Sequence, residues 1–167
     1  MMDYWTTLTP SGAFGVLAKD GTVYASGWTT DLGSLLAVIS PSLRPETVDV
    51  TEDLGRISDA VHSYMDGDVG AIDTIPVRQA SGPFISHAWD VLREVPAGTT
   101  VTYGGLAAMC GRPAAVRAAA GACSRNAAAL FIPCHRVISA SGALHGFRYG
   151  LTPKGWLLDH EAKAAAA

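Results

Sequence analysis

The sequence predicts an α/β protein in two parts, a first half that mixes strands with helices and a second half that is mainly helical. Three observations carry this. Short β-rich runs flank an Asp-Gly turn near the start, helical spacing dominates beyond Gly82, and the charge changes sign between the halves. Residues 1–80 hold four Lys/Arg (Lys19, Arg44, Arg56, Arg78) against eleven Asp/Glu, giving −7. Residues 81–167 hold eight against four, giving +4, and the chain totals −3. A polyanion is repelled by the first half and attracted by the second. Composition alone would look the same for two unrelated solvated surfaces.

In the first half, Ala13–Ala18 and Thr22–Gly27 read as strands around Lys19-Asp20-Gly21, a hairpin signal. A helix is expected over Leu32–Ile39 and a loop over Pro41–Thr51. Thr51 then caps a helix in which Leu54, Ile57, Val61, Tyr64 and Met65 recur at helical spacing, and Ala71–Val77 reads as a final strand. The boundary falls at Arg78–Gly82, giving domains 1–80 and 81–167. Pro83 opens a helix whose apolar positions are Phe84, Ala88, Val91, Leu92 and Val95. Two short helices follow, Tyr103–Cys110 and Ala114–Ser124. Gly111-Arg112-Pro113 joins them, with the length and turn chemistry of a helix-turn-helix.

Composition excludes several classes. With 49% hydrophobic and 16% charged residues, a packed core is readily built. No apolar run approaches the roughly 18–20 residues of a membrane span. The N-terminal MMDYWTTLTP lacks the basic start of a secretory signal, so a soluble cytoplasmic protein is expected. The three cysteines, Cys110, Cys123 and Cys134, show no CxxC spacing, which disfavours a disulfide scaffold or zinc site. Cys110 and Cys123 lie on apolar helical faces as inert thiols. No metal and no cofactor are expected.

The chemistry concentrates in Pro133-Cys134-His135-Arg136-Val137-Ile138, where a thiol stands beside an imidazole at the end of an apolar run. Glu161 follows in a helical segment. A free thiol is a weak nucleophile until a base or positive charge favours its thiolate. Cysteine, histidine and a third orienting group are the parts of an activated nucleophile.

This signature resembles that of the O6-alkylguanine-DNA alkyltransferases. The resemblance extends to Phe84–Tyr103 (a lead-in helix and loop), Leu106–Asn126 (the helix-turn-helix) and Gly150–Glu161 (a closing helix). It implies an N-terminal α/β domain with a small ribonuclease H-like sheet, and a mainly helical C-terminal domain with the site. The implied activity is irreversible transfer of a methyl or other alkyl group from guanine O6 in DNA, with thymine O4 as a further candidate, to Cys134 after base flipping. Each molecule would act once.

The implied catalytic set is Cys134, His135, Glu161, Tyr103 and Asn126. His135, oriented by Glu161, takes the thiol proton through a water. Tyr103 donates to guanine N3, and Asn126 supports the backbone. The implied DNA contacts are Arg117, Ala115, Ala118, Gly121, Arg125 and Arg136. The almost bare second helix enters the minor groove and Arg117 takes the place of the extruded nucleotide. In an isolated sequence close helix packing would be the preferred explanation of the small residues, and the resemblance reverses that preference. Val137, His145, Phe147, Arg148 and Lys154 would line or electrostatically support the pocket. The partner is double-stranded DNA carrying O6-alkylguanine, the protein a monomer without membrane association, and on DNA it would be part of a bacterial nucleoid. Some family members carry an N-terminal zinc site; no cysteine precedes Cys110 here.

Phe147 stands where the family usually has tyrosine, and His145 where a small or polar residue is usual, so the accepted alkyl range is expected to differ. The alternative function is a non-catalytic lesion-recognition module that flags damage for excision, which Cys134 argues against. A cysteine hydrolase lacks a matching signature. A plain helix-turn-helix regulator is disfavoured by the bare helix, and His160-Glu161 lacks the second histidine of HExxH.

Overall fold

The computed structural model describes residues 1–144 and 146–167. They form two compact units: Met1–Ala80 with Ala127–Phe131, and Ser81–Asn126 with Ile132–Ala167. The second half is thus not continuous as expected, because five residues belong with the first unit.

The first unit is built on a mixed four-stranded sheet of order β3-β2-β1-β4. Its strands are β1 (Met2–Thr9), β2 (Gly12–Lys19), β3 (Thr22–Gly27) and β4 (Val48–Val50). The β2–β3 hairpin turns at Asp20 (φ 51°) and Gly21 (φ 74°), two left-handed residues that suit the strand twist. Sequence patterning missed β1, whose second half is polar and partly exposed, and β4, which lies within the expected loop. β4 pairs parallel to β1 from Met2↔Val48, a long-range choice that local periodicity does not encode.

Helix α1 (Leu32–Val38) is capped by Asp31, whose Oδ1 accepts from Gly33 N at 3.1 Å. Helix α2 (Arg56–Met65) starts after Gly55 instead of being capped by Thr51. There the Ser58 hydroxyl donates to Asp53 and accepts from Leu54 N. Ala71–Val77 is not a strand. Turn bonds Ala71 N to Asp68 O and Asp73 N to Gly70 O bury Ile72 and Ile75, three apart, instead of alternating residues. Only Val77 forms a bridge, to Val23. Residues 127–131 extend this unit beside β3: Ser26 N donates to Ala127 O (2.9 Å) and Ser26 Oγ to Ala129 O (2.7 Å).

In the second unit, α3 (Pro83–Leu92) buries Ile85, Ala88, Trp89, Val91 and Leu92. Phe84, expected inside, is half-exposed, with the Arg112 guanidinium 5.9 Å from its ring centroid. Trp89 takes the core position and donates to Ala122 O at 2.9 Å. Then come β5 (Val101–Thr102), α4 (Tyr103–Met109), α5 (Val116–Arg125), β6 (Val137–Ile138) and α6 (Leu151–Ala166). β5 and β6 pair in parallel, and Thr102 caps α4 by accepting from Gly105 N at 2.9 Å. No helix among the described residues is long and apolar enough to cross a membrane.

Gly15 on β2 tests the packing of the first unit. A Cβ there would lie 2.7 Å from Thr29 O and 3.1 Å from Leu35 Cδ1, and the backbone oxygen cannot rotate away. Gly15→Ala is expected to lower unfolding free energy by about 1–3 kcal/mol, read from urea midpoints. Gly21→Asn, in open space at a left-handed turn position, should leave it nearly unchanged.

Candidate active site

Cys134, His135 and Arg136 form one short 3-10 turn entered from Pro133. The Cys134 amide bonds Ile132 O at 2.8 Å and the Arg136 amide bonds Pro133 O at 3.0 Å. The turn runs straight into β6, whose pairing with β5 ties it to the start of α4. Asn126, the residue closing α5, holds its other end. The side-chain amide donates to Ile132 O at 2.9 Å and to Cys134 Sγ at 3.2 Å. The expected backbone role of Asn126 is therefore joined by a direct bond to the sulfur.

Helix α6 supplies the acid. Lys154, Leu157 and Glu161, spaced i, i+3 and i+7, fall on its buried stripe. Two of the three are ionisable, so burial demands internal partners. Lys154 Nζ donates to Val137 O at 2.7 Å. Arg136 donates to Glu161 through Nε (2.9 Å to Oε1) and Nη2 (2.8 Å to Oε2), and to Val95 O through Nη1 (2.7 Å). His135 Nε2 reaches Glu161 Oε2 at 2.9 Å.

Protonation states follow from these contacts. Burial alone would raise the Glu161 carboxyl, but hydrogen bonds and charges from His135 and Arg136 outweigh it and hold it well below the usual carboxylate range. For His135 burial dominates and lowers the pKa against the pull of Glu161. Arg136 is then the permanent counter-charge of Glu161, and His135 stays neutral. A carboxylate only accepts, so Nε2 carries the ring proton and Nδ1 the lone pair. Nδ1 is buried and has no hydrogen-bond partner among the described residues. Burial also raises the Cys134 thiol, opposed by the Asn126 bond and by the charges of Arg148 and Lys154. The resting site is a protonated thiol next in sequence to a neutral imidazole with a free lone pair.

A cavity of about 870 Å³ in the same unit is lined by Tyr103, Arg117, Ala120, Gly121, Cys123 and Gly146, among others. Gly146 is left-handed (φ 61°), and a Cβ there would stand 3.4 Å from the Tyr103 hydroxyl. Burial raises the pKa of Tyr103, and negative charge on Cys123 or Cys134 raises it further, so Tyr103 lies within electrostatic reach of both thiols. On α5 only Ala119 and Ala122 are buried; Arg117, Ala118 and Arg125 are exposed and Ala115 and Gly121 half-exposed.

Several expectations change. Arg136, expected on the DNA surface, is 2% exposed and bonded to Glu161 and Val95, so it lies in the interior of the unit and not on a surface that meets a phosphate. Neither Cys134 nor Val137, Phe147, Arg148 or Lys154 is among this cavity's lining residues. Val137 and Lys154 are core. The Phe147 ring meets Tyr149 edge-on at 5.9 Å. Arg148 instead closes α5, donating to Asn126 O (2.8 Å) and Ser124 O, where a cation complements the helix C-terminus. The expectation for His145 lies outside the described residues.

Two residues were missed. Cys123 was taken as an inert core thiol, yet it is only half-buried and lines the cavity, and the burial it has pushes its pKa strongly up. Helical spacing held the clue, since Arg117, Ala120, Gly121 and Ser124 mark a stripe that Cys123 adjoins. Burial raises the pKa of Tyr149 against the Arg148 charge, and negative charge on Cys134 raises it further. Among the described residues no cluster of three or more His, Cys, Asp or Glu could hold a metal.

Residues 83–163 match the family model described as 6-O-methylguanine DNA methyltransferase, DNA binding domain. A methylated-DNA–protein-cysteine methyltransferase of Shigella flexneri is 40% identical over 107 residues, covering 64% of this chain and 63% of its own length. The chain thus spans less than two thirds of that relative. An inducible methylated-DNA–protein-cysteine methyltransferase of Bacillus subtilis is 36% identical over 134 residues, covering 80% of this chain and 68% of its own length. The crystal structure of Mycobacterium tuberculosis OGT in complex with DNA is similar at a TM-score of 0.79 and 25% identity, covering 97% of this chain and 94% of that one.

Removing one partner of the buried pair should be costly. Arg136→Met is expected to lower stability by about 3 kcal/mol or more, because Glu161 loses its permanent counter-charge. Acid should act in two stages. His135 has a folded pKa below the unfolded value near 6.5, so its contribution is whole above that pH and is lost as pH falls below it. The depressed Glu161 contributes fully above its unfolded value near 4.3 and is lost on further acidification. Urea midpoints against pH should show both declines in the unaltered chain, and the share due to His135 should vanish in His135→Gln.

Proposed function

We propose that this chain, which belongs to the methylated-DNA–protein-cysteine methyltransferase family, moves a methyl or larger alkyl group from O6 of guanine in double-stranded DNA irreversibly onto Cys134. One observation carries the proposal. The ring of His135 is fixed by Glu161 with its unpaired Nδ1 buried, directly after a cysteine whose sulfur is held by Asn126. This is an arrangement for making a thiolate on demand.

In the reaction, His135 Nδ1 takes the Cys134 proton through a water, and the thiolate attacks the alkyl carbon. The carbon–O6 bond breaks and its electron pair passes into the guanine ring. Tyr103 donates to N3, where that density collects, stabilising the departing base. Arg136 keeps Glu161 anionic, so the proton rests on His135 and then passes back through water to the departing guanine anion, which takes it at N1. The product thioether is stable and the base is restored, so each molecule acts once. An alkyl group on thymine O4 is a second candidate donor for the same chemistry, again with Cys134 as the acceptor.

Reaching O6 requires the base to leave the stack. Helices α4 and α5 form the helix-turn-helix, and α5 offers Ala115, Ala118 and Gly121 to the minor groove with no large side chain between them. Arg117, exposed on α5 and lining the cavity, fills the space of the extruded nucleotide, and Arg125 meets the backbone. The net +4 of residues 81–167 favours this side of the chain for a polyanion. The first unit is a ribonuclease H-like support. The protein acts as a monomer in the cytoplasm, on nucleoid DNA.

Intact-protein and peptide mass after mixing with a duplex containing one O6-methylguanine tests the reading. One added methyl on the Cys134 peptide, saturating at one per molecule and absent in Cys134→Ala, is expected. Tight lesion binding without a mass change would replace the transferase with a recognition module. His135→Gln should slow single-turnover transfer by about 10²–10⁴ at neutral pH while lesion affinity is kept. Arg117→Ala should slow transfer from duplex DNA far more than transfer from free O6-benzylguanine, which needs no flipping; equal losses would remove Arg117 from that role.

A further inference from the structure

We propose that the first unit carries a ligand site of its own, a pocket for a small phosphomonoester formed by Lys19, Arg44 and Arg78. Residues 1–80 contain only four Lys/Arg against eleven Asp/Glu. Three of those four line one cavity of about 440 Å³, together with Tyr24, Thr47 and a single carboxylate, Glu46. Three cations against one carboxylate leave a local charge of +2 inside a unit of −7, which matches the dianion of a phosphomonoester. Cations so placed repel one another, and neither Lys19 nor Arg78 makes an ion pair or side-chain hydrogen bond among the described residues. Nothing in the fold explains their convergence; a bound anion does.

The backbone sets these groups in place. Lys19 ends β2 opposite Thr22, beside the hairpin turn. Arg78 is fixed beside β3, its amide donating to Val23 O at 2.9 Å, while Val23 N donates to Pro76 O at 2.9 Å. Arg44 is held from behind: Nε donates to Ile39 O (2.9 Å) and Nη2 to Ala37 O (3.2 Å), which leaves Nη1 as a fixed donor. Met2 N donates to Thr47 O at 3.1 Å and anchors the facing loop. Two arginines and a lysine around one oxyanion supply forked and point-charge donors together. The half-buried Tyr24 ring gives a flat wall for a base or sugar. The volume lies within the ~300–1,000 Å³ of small-molecule sites. A duplex approaching the same pocket would meet the field of eleven carboxylates, so a small ligand is favoured over a DNA backbone.

Calorimetric titration at fixed ionic strength tests this with inorganic phosphate and 2′-deoxyguanosine 5′-monophosphate, using deoxyguanosine and sodium chloride as controls. Saturable one-to-one binding of the monophosphate is expected, with none for deoxyguanosine. The Lys19→Ala/Arg78→Ala double variant should bind at least tenfold more weakly, with an unchanged melting temperature in the absence of ligand and an unchanged alkyl-transfer rate. The absence of saturable binding, or equal binding by the variant, overturns the site. Salt dependence of affinity for an undamaged duplex separates the two phosphate sources. An unchanged slope in the double variant supports the small ligand. A slope reduced by about one to two, the count of lost phosphate contacts, assigns the pocket to DNA and overturns the phosphomonoester.

Discussion

The bonding of the Glu161 carboxylate governs the chemistry of the second unit. Its two oxygens accept three hydrogen bonds, two from the Arg136 fork and one from His135, in an interior where each group is almost fully shielded from water. With histidine as sole partner, a buried carboxylate would draw a proton onto the ring and make an imidazolium with both nitrogens occupied. Arg136 supplies the positive charge instead. The carboxylate is neutralised, the imidazole is free to stay neutral, and its lone pair remains on Nδ1. Adjacent residues in one turn thus divide the work: arginine satisfies the acid, and histidine keeps a lone pair on Nδ1 for the proposed reaction.

This also explains why the turn cannot wander. Cys134 lies between two anchors, the Asn126 amide on one side and the β5–β6 pairing on the other. Between Asn126 and Ile132 the chain departs to join the first unit for five residues and returns. Asn126 closes that excursion by bonding Ile132 O, and the same amide reaches the sulfur. Arg148 in turn fixes the carbonyl of Asn126. Position is therefore set by hydrogen bonds to the main chain, which tolerate little displacement, more than by apolar packing.

Local signals were legible where a pattern of a few residues decides the structure. The Asp20-Gly21 hairpin and helices α1 and α3 to α5 belong to that kind, whereas the bond between His135 and Glu161 joins residues 26 apart in the chain. What escaped depends on partners distant in sequence. Strand β4 exists only because β1 lies beside it, and 72–75 bury isoleucines through turns that mimic a strand's hydrophobicity without its period. Arg136, placed among the DNA contacts by the resemblance, was misplaced for a similar reason: only the fold brings Glu161, 25 residues on, under it. Lys154 and Glu161 could have been recognised as buried, since both fall on the stripe marked by Leu157. Charge at an apolar helical position is a stronger pointer to function than charge on a solvated face.

On the proposed reaction, the raised pKa of Cys134 is an advantage. A protein that reacts once loses its function to any stray electrophile or oxidant, and susceptibility to both follows thiolate character and exposure. Burial keeps Cys134 a thiol and 8% exposed, which lowers that loss during the long wait for a lesion. The same burial would make it useless without a base at hand, and a pre-formed His135–Glu161 pair removes this difficulty without creating standing charge on the sulfur. Asn126, Arg148 and Lys154 pull in the opposite direction from burial, so the thiolate, once made, enters a site already disposed to receive negative charge. Inertness at rest and reactivity on demand are then consequences of one geometry. The switch between them is the transfer of a single proton from Cys134 to Nδ1 of His135.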